Sequence, residues 1–276
     1  FVGRAVEMAM LKSVWSVVAT GRSAVVTVAG EAGIGKSRLV HEAVRSLASK
    51  RPNTSVIEGA CAPYGEPNVW WPVVGGLVTR LGFNRNRSAD DIRSGVTRIL
   101  ARTEDFSSDP TSLDGMVELV LHLLGQPSSL DALGPVATRD AVFAAIVRAL
   151  RRRTARGPVV VWVDDIQWAA PLLLELLESA ARQLVDEPLL IITTERPVDQ
   201  PQLNWPPVSD HALTLRLALD ALDEHDSAAL VASAAGPDLP STVIERISTR
   251  SGGNPLFLIE LARRAASGSH EDDELP

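Results

Sequence analysis

Lysine is nearly missing from this chain. It occurs only at positions 12, 36 and 50, and the remaining basic residues are all Arg. Cysteine occurs once, at Cys61, which excludes an internal disulfide and fits a reducing, cytoplasmic setting. No apolar run approaches the roughly 20 residues of a membrane span. The N-terminus, Phe1-Val2-Gly3-Arg4-Ala5-Val6-Glu7, lacks the charged and apolar zones of a secretory signal, and a start without Met reads as a fragment. A net charge of −7 argues against a broad nucleic-acid surface, so no direct DNA binding is expected. The histidines at 41, 122, 211, 225 and 270 are scattered, with no paired spacing for a metal. No G-x-S-x-G elbow exists for a serine hydrolase. What remains is a chain of 276 residues, 45% hydrophobic, with length for one large α/β domain and a smaller companion.

One of the three lysines sits in a phosphate-binding loop. Gly30-Glu31-Ala32-Gly33-Ile34-Gly35-Lys36-Ser37 is a complete G-x-x-x-x-G-K-[ST] pattern. An apolar, β-branched stretch (24–29) precedes it. Leu39, Val40, Ala43, Val44 and Leu47 follow at helical spacing. Strand, loop and helix are the context that makes the pattern a site. The glycines let the backbone wrap phosphate oxygens with its N–H groups inward. The helix N-terminus, with Arg38 in its first turn, offers itself to the same anion. Lys36 is placed to reach the β- and γ-phosphates, and the Ser37 hydroxyl to ligate Mg²⁺.

Five strand candidates follow in order, at about 23–30, 54–60, 158–164, 188–194 and 212–219. Helical patterns between them predict a mainly parallel sheet with helices on both faces. The stretch 62–137 is long for one crossover. It carries helical patterns near 68–81, 89–101 and 112–124, and reads as a helical insertion. The nucleotide-binding domain is expected over 1–221, a helical lid over 222–268 and a linker over 269–276. Residues 197–210, rich in Pro, read as a loop.

The third strand candidate ends in Asp164-Asp165, and ligands of such sheets sit off the carboxyl ends of the strands. Asp164 is the candidate Mg²⁺ ligand, and Asp165 the candidate general base for an attacking water. The fourth ends in Glu195-Arg196, which puts Arg196 where a γ-phosphate would lie. Asn254 and Pro255 suit the N-cap and first turn of a helix. Arg151-Arg152-Arg153 reads as a helix end complementing the dipole. Trp70, Trp71 and Trp162 read as packing residues. Arg182 and Arg216 show nothing special.

With these residues in place, the chain resembles the nucleotide-binding domain of the STAND class of AAA+-related P-loop ATPases. It is most similar to the ATPase modules of bacterial LuxR-type large ATP-binding regulators and cyclase-linked regulators. Val2, Gly3, Arg4 and Glu7 fit the hhGRxxE motif, which in that class lies by the adenine and ribose. Cys61-Ala-Pro-Tyr-Gly-Glu66 with Trp71-Pro72 is similar to a segment frequent in these regulators. Asp164-Asp165-Ile-Gln167-Trp168-Ala169 matches the acidic strand end. Arg196 falls on the sensor arginine, and Gly253-Asn254-Pro255 on the GxP motif whose proline packs near the nucleotide. The departure is Ala170, where the class often has an acid; its loss could alter the capping of the next helix. Asp165 is also shorter than the glutamate of fast AAA+ enzymes.

The resemblance implies a five-stranded parallel sheet of order 2-3-4-1-5 with a helical lid. It implies an ATPase that binds ATP/ADP with Mg²⁺, slowly hydrolysing and regulatory, ADP-bound at rest and ATP-bound when active. Self-association in the ATP state, and an inducer and effector domain outside this chain, would go with it. A ring-coupled remodelling or loader ATPase, a hydrolysis-dead scaffold and a small-molecule kinase are the rival readings.

Overall fold

The structure, a computed structural model, describes residues 1–63, 68–75, 88–100, 110–197, 213–236 and 239–266, with only the backbone at 100 and 110–112. The segment Tyr64–Glu66, the body of the Pro-rich loop and the tail expected over 269–276 lie outside the described residues.

Five strands form one sheet: β1 (Ala24–Gly30), β2 (Ser55–Ala60), β3 (Val159–Asp164), β4 (Leu189–Glu195) and β5 (Leu213–Leu219). Their order is β2-β3-β4-β1-β5 and every pairing is parallel, as expected. Of the three strands with neighbours on both sides, β3, β4 and β1, the last two are buried along their whole length. That is why they read as unbroken apolar or Thr-containing runs rather than as alternations. The edge strands β2 and β5 are only partly buried.

Strand alternation sends side chains to two cores. Val25, Val159, Val163 and Ile191 point to one face, under α5 (Pro135–Thr154) and α6 (Pro171–Gln183), where they meet Val142, Ile146, Leu173 and Leu177. Val26, Val28, Val160, Trp162, Leu190 and Ile192 point to the other, under α1 (Ala5–Val18) and α2 (Lys36–Ser49). Trp70 and Trp162, each about 5% exposed, are core residues as read. Helix α1 is an element that the strand-by-strand reading does not supply. Its Leu11, Val14, Trp15 and Val18 are buried, while Val6 and Met10 stay exposed.

Between β2 and α5 the chain adds α3 (Ala89–Leu100) and α4 (Pro110–Leu123). These two share a small core of Ile92, Val96, Val117, Val120 and Leu121. Where this insertion begins, backbone lies directly on backbone. A Cβ built on Gly59 of β2 would fall 1.6 Å from the Pro72 carbonyl oxygen, so only glycine fits. The Arg-rich end of α5 does more than complement a dipole. Arg151 donates to the Gln183 carbonyl at 2.8 Å, and Arg153 bonds the Ser55 hydroxyl of β2. The expected loss of capping is real too: Ala170 precedes α6 with no side-chain cap.

After β5 come α7 (Glu224–Ala235), α8 (Ser241–Ser251) and α9 (Pro255–Ala266). Val231, Ile247, Leu258 and Ala262 form their own core. Asp223 caps α7 by accepting from the Asp226 N–H at 2.8 Å.

Candidate nucleotide site

The carboxyl ends of β1, β3 and β4 converge on one cavity of about 610 Å³, closed on its far side by α7 and α9. The loop leaving β1 needs left-handed backbone at Gly33 (φ 76°) and Gly35 (φ 97°), which residues with a Cβ rarely adopt. It delivers the chain into α2 with Gly35 as N-cap, no capping side chain and no acid in the first turn. The first N–H groups of α2 are thus left to an anion. Lys36 is only 7% exposed, and its Nζ donates to the Gly30 and Glu31 carbonyls at 2.9 Å each. Burial holds its ammonium below the usual lysine range; Asp165 and Asp164 pull it back up, while Arg196 pushes it further down.

Ser37 donates its hydroxyl to Asp164 Oδ2 at 2.7 Å, so a residue of β3 and one of the phosphate loop already share a hydrogen bond. Two hard oxygens at that distance fit a magnesium ion, which takes few protein ligands and completes its shell from phosphate and water. Among the described residues no group of three or more His, Cys, Asp or Glu could hold a metal by itself. The phosphate loop and this oxygen pair therefore fit a nucleotide with Mg²⁺. When bound, the ion would polarise phosphate oxygens.

The cavity wall carries most of the expected residues. Val2 and Arg4 of the N-terminal motif line it, as do Ala32, Gly33, Ile34, Gly35, Lys36, Ser37 and Arg38 of the loop, with Asp165, Arg196 and Pro255. Gly30, Glu31 and Asp164 are not among the residues that line it. Gly3 faces α7, and a Cβ there would meet Asp226 Oδ2 at 2.6 Å. Arg4 is committed to protein partners. Its guanidinium donates to the Asp220 carbonyl at 2.6 Å, the Ile34 carbonyl at 3.3 Å and Glu7 at 3.2 Å. It joins the N-terminus, the loop and the end of β5.

Several residues that shape the site make contacts that the sequence reading does not supply. Thr194, fully buried on β4, donates to Asp164 Oδ1 and accepts the Asp165 N–H at 2.9 Å. Gln167 donates to Asp165 Oδ1 at 2.9 Å. Asn254 caps α9 as read, its Oδ1 accepting the Leu256 N–H at 3.1 Å, but its Nδ2 also donates to the Ala32 carbonyl at 2.9 Å. Arg216, which shows nothing special in sequence, is corrected by the structure: it pairs at 2.5 Å with Glu195, a carboxylate only 2% exposed. The one usable signal was the Thr-Thr-Glu ending of an otherwise aliphatic strand.

A family model for the AAA ATPase domain matches residues 1–192. The chain belongs to that family. This AAA ATPase domain is 31% identical over 278 residues to the uncharacterized protein R02095 of Rhizobium meliloti (strain 1021). The match takes in 98% of the chain and 26% of the relative, so the chain spans about a quarter of that protein's length. Among solved structures, the domain is similar to Drosophila ORC bound to DNA, with 13% identity, a TM-score of 0.56, and 98% of this chain and 56% of that one covered. It is also similar to the R170A form of Thermotoga maritima RuvB, at 16% identity and a TM-score of 0.51, covering 97% of this chain and 63% of that one. Both likenesses bear on the fold alone. No helix among the described residues is long and apolar enough to cross a membrane.

Proposed function

We propose that the chain is the nucleotide-operated switch module of a signal-transducing regulator of the STAND class, binding ATP and hydrolysing it slowly. The observation that carries this reading is the direct bonding of the α7–α9 unit to the phosphate loop. Asn254 Nδ2 holds the Ala32 carbonyl, and the Leu256 N–H holds the Gly33 carbonyl at 3.2 Å. A nucleotide between them would touch both units, so its phosphates would bear on how the lid sits. The lid is taken as residues 222–268 and the nucleotide-binding domain as 1–221.

In this reading ADP holds the resting arrangement, and ATP opens it and permits self-association. Moving such an equilibrium from 1:99 to 99:1 needs a differential affinity of roughly 10⁴-fold. A few charge-assisted hydrogen bonds to a γ-phosphate, at about 1.5–3 kcal/mol each, are of that size. Lys36 and Arg196 are the candidate donors. For hydrolysis, Asp165 takes a proton from the attacking water. The water oxygen bonds to the γ-phosphorus and the bond to the bridging oxygen breaks, leaving ADP and inorganic phosphate. Thr194 holds both acids in place. LuxR-type architecture, an inducer and an effector domain belong to this proposal, and the greater length of the R02095 relative fits a module within a larger protein.

The test is the identity of the nucleotide that the purified chain carries, released by denaturation and separated by ion exchange. ADP near one equivalent, missing from Lys36→Ala, is the expected result. In that variant, affinity for added nucleotide should fall by roughly 10–100-fold, the worth of one charged hydrogen bond; unchanged affinity would remove the site. A wild-type protein without nucleotide that turns over ATP quickly, and faster with rising protein concentration, would replace the switch by a ring-coupled remodelling enzyme.

A further inference from the structure

Past Asp165 the chain makes one 3-10 turn, Ile166–Trp168, which brings the half-buried Gln167 back over the end of β4. Its carboxamide is used at both ends. Nε2 donates to Asp165 Oδ1 at 2.9 Å, and Oε1 accepts the Arg196 backbone N–H at 3.3 Å. One uncharged side chain thus ties the acid at the end of β3 to the first residue beyond β4. Only a group with both a donor and an acceptor can do this; a carboxylate would repel Asp165, and a lysine would offer nothing to the Arg196 N–H.

The acid it holds is fixed from other sides as well. Asp165 sits at φ 55°, in the left-handed region where residues with a Cβ are uncommon, and its N–H is taken by Thr194. Backbone and amide are settled by these contacts, which leaves the carboxylate direction to Gln167. Arg196 and Asp165 both line the nucleotide cavity, and both act on Lys36 electrostatically.

We propose that Gln167 is a positioning residue for hydrolysis at this site, holding the Asp165 carboxylate and the Arg196 strand end in one fixed relation. The proposal rests on the ATPase reading above. A base and a cation that must meet the same phosphate group gain from being set together, because misplacement by about 1 Å costs on the order of 10²-fold in rate.

The experiment compares wild-type protein with Gln167→Met, Gln167→Glu, Gln167→His, Asp165→Asn and the Gln167→Met/Asp165→Asn double variant. Steady-state ATP turnover, nucleotide affinity and hydrogen exchange at the Arg196 amide are measured on each. Gln167→Met should lower kcat by about 10–100-fold with affinity unchanged. Gln167→His, with one ring donor and one acceptor, should restore much of it. Gln167→Met should add nothing once Asp165 is Asn, whereas a merely structural role would add its full factor. Exchange at Arg196 should quicken in Gln167→Met and stay slow in Gln167→Glu, which keeps the acceptor; this readout needs no turnover at all. Wild-type kcat in Gln167→Met beside a slow Asp165→Asn overturns the Gln167 role alone. Wild-type kcat in Asp165→Asn overturns the hydrolysis reading and the catalytic half of this proposal with it. Unchanged exchange in Gln167→Met means that the bridge does not exist.

Discussion

Two residues next to the acidic pair show how much the strand ends depend on small groups. Thr194 gives one hydroxyl to two tasks, donating to Asp164 and accepting from Asp165. Thr194→Val keeps the shape and removes both bonds, leaving a partly buried N–H unpaired at a cost of about 1–3 kcal/mol. The expected outcome is a lower melting temperature together with slower ATP turnover at nearly unchanged nucleotide affinity. Cys61, one residue beyond β2, donates its N–H to the Asp164 carbonyl at 2.9 Å. Burial, and then the charges of Asp165 and Asp164, push its thiol up to about 12. The folded chain thus keeps a proton that the unfolded chain loses in the ordinary thiol range. The corresponding stability is present below that range and is lost as pH rises from it toward 12. At pH 8.5, iodoacetamide should leave native Cys61 nearly untouched and label it on addition of denaturant; fast labelling of the native protein would contradict its burial.

At the scale of elements, α9 is tied to the phosphate loop in part by one side chain with two jobs. Asn254 Oδ1 caps the helix and Nδ2 reaches the phosphate loop. Asn254→Asp separates the two, because aspartate caps as well as asparagine but has no N–H to give. Its melting temperature should stay near wild type while release of a fluorescent nucleotide quickens. Asn254→Ala should lose both, with about 1 kcal/mol of stability gone with the cap. Wild-type release from Asn254→Asp would mean that the lid is held by other contacts. Local pattern showed the cap, since Asn before Pro at a helix start is a signal within four residues. It could not show the contact with Ala32, which lies 222 positions away in the chain.

For the whole molecule, a site shared by the sheet and the α7–α9 unit should make nucleotide stabilise both together. Nucleotide at a hundred times its Kd adds about 2.7 kcal/mol, or roughly 5–10 °C for a chain of this size. At the same concentration Lys36→Ala, weakened roughly 10–100-fold, should keep only about 0.4–1.4 kcal/mol of it, and a shift of equal size in that variant would place the nucleotide elsewhere. The same division between near and far explains what was legible in the sequence. The strands and the phosphate loop announce themselves because β1 and β4 are buried throughout, and because the loop's glycines and Lys36 stand in one short run. The strand order was not in any period or spacing; it came with the family resemblance. Helix α1 was missed because exposed Val6 and Met10 blur its apolar stripe. The contacts of Thr194, Gln167 and Arg216 were not legible because their partners are set by sheet register and crossing loops. Arg216, for example, meets Glu195 across β1, which lies between their strands.

Gly59 has a mechanical consequence. Insertions between strands commonly hang from compliant junctions, but here the Pro72 carbonyl rests on the strand with no side-chain layer between them. Gly59 is paired with Val163, and the next residue, Ala60, with Asp164. Any side chain at Gly59 would have to push Pro72 away or shift the strand itself, one residue before the one paired with Asp164, whose carboxylate accepts from Ser37.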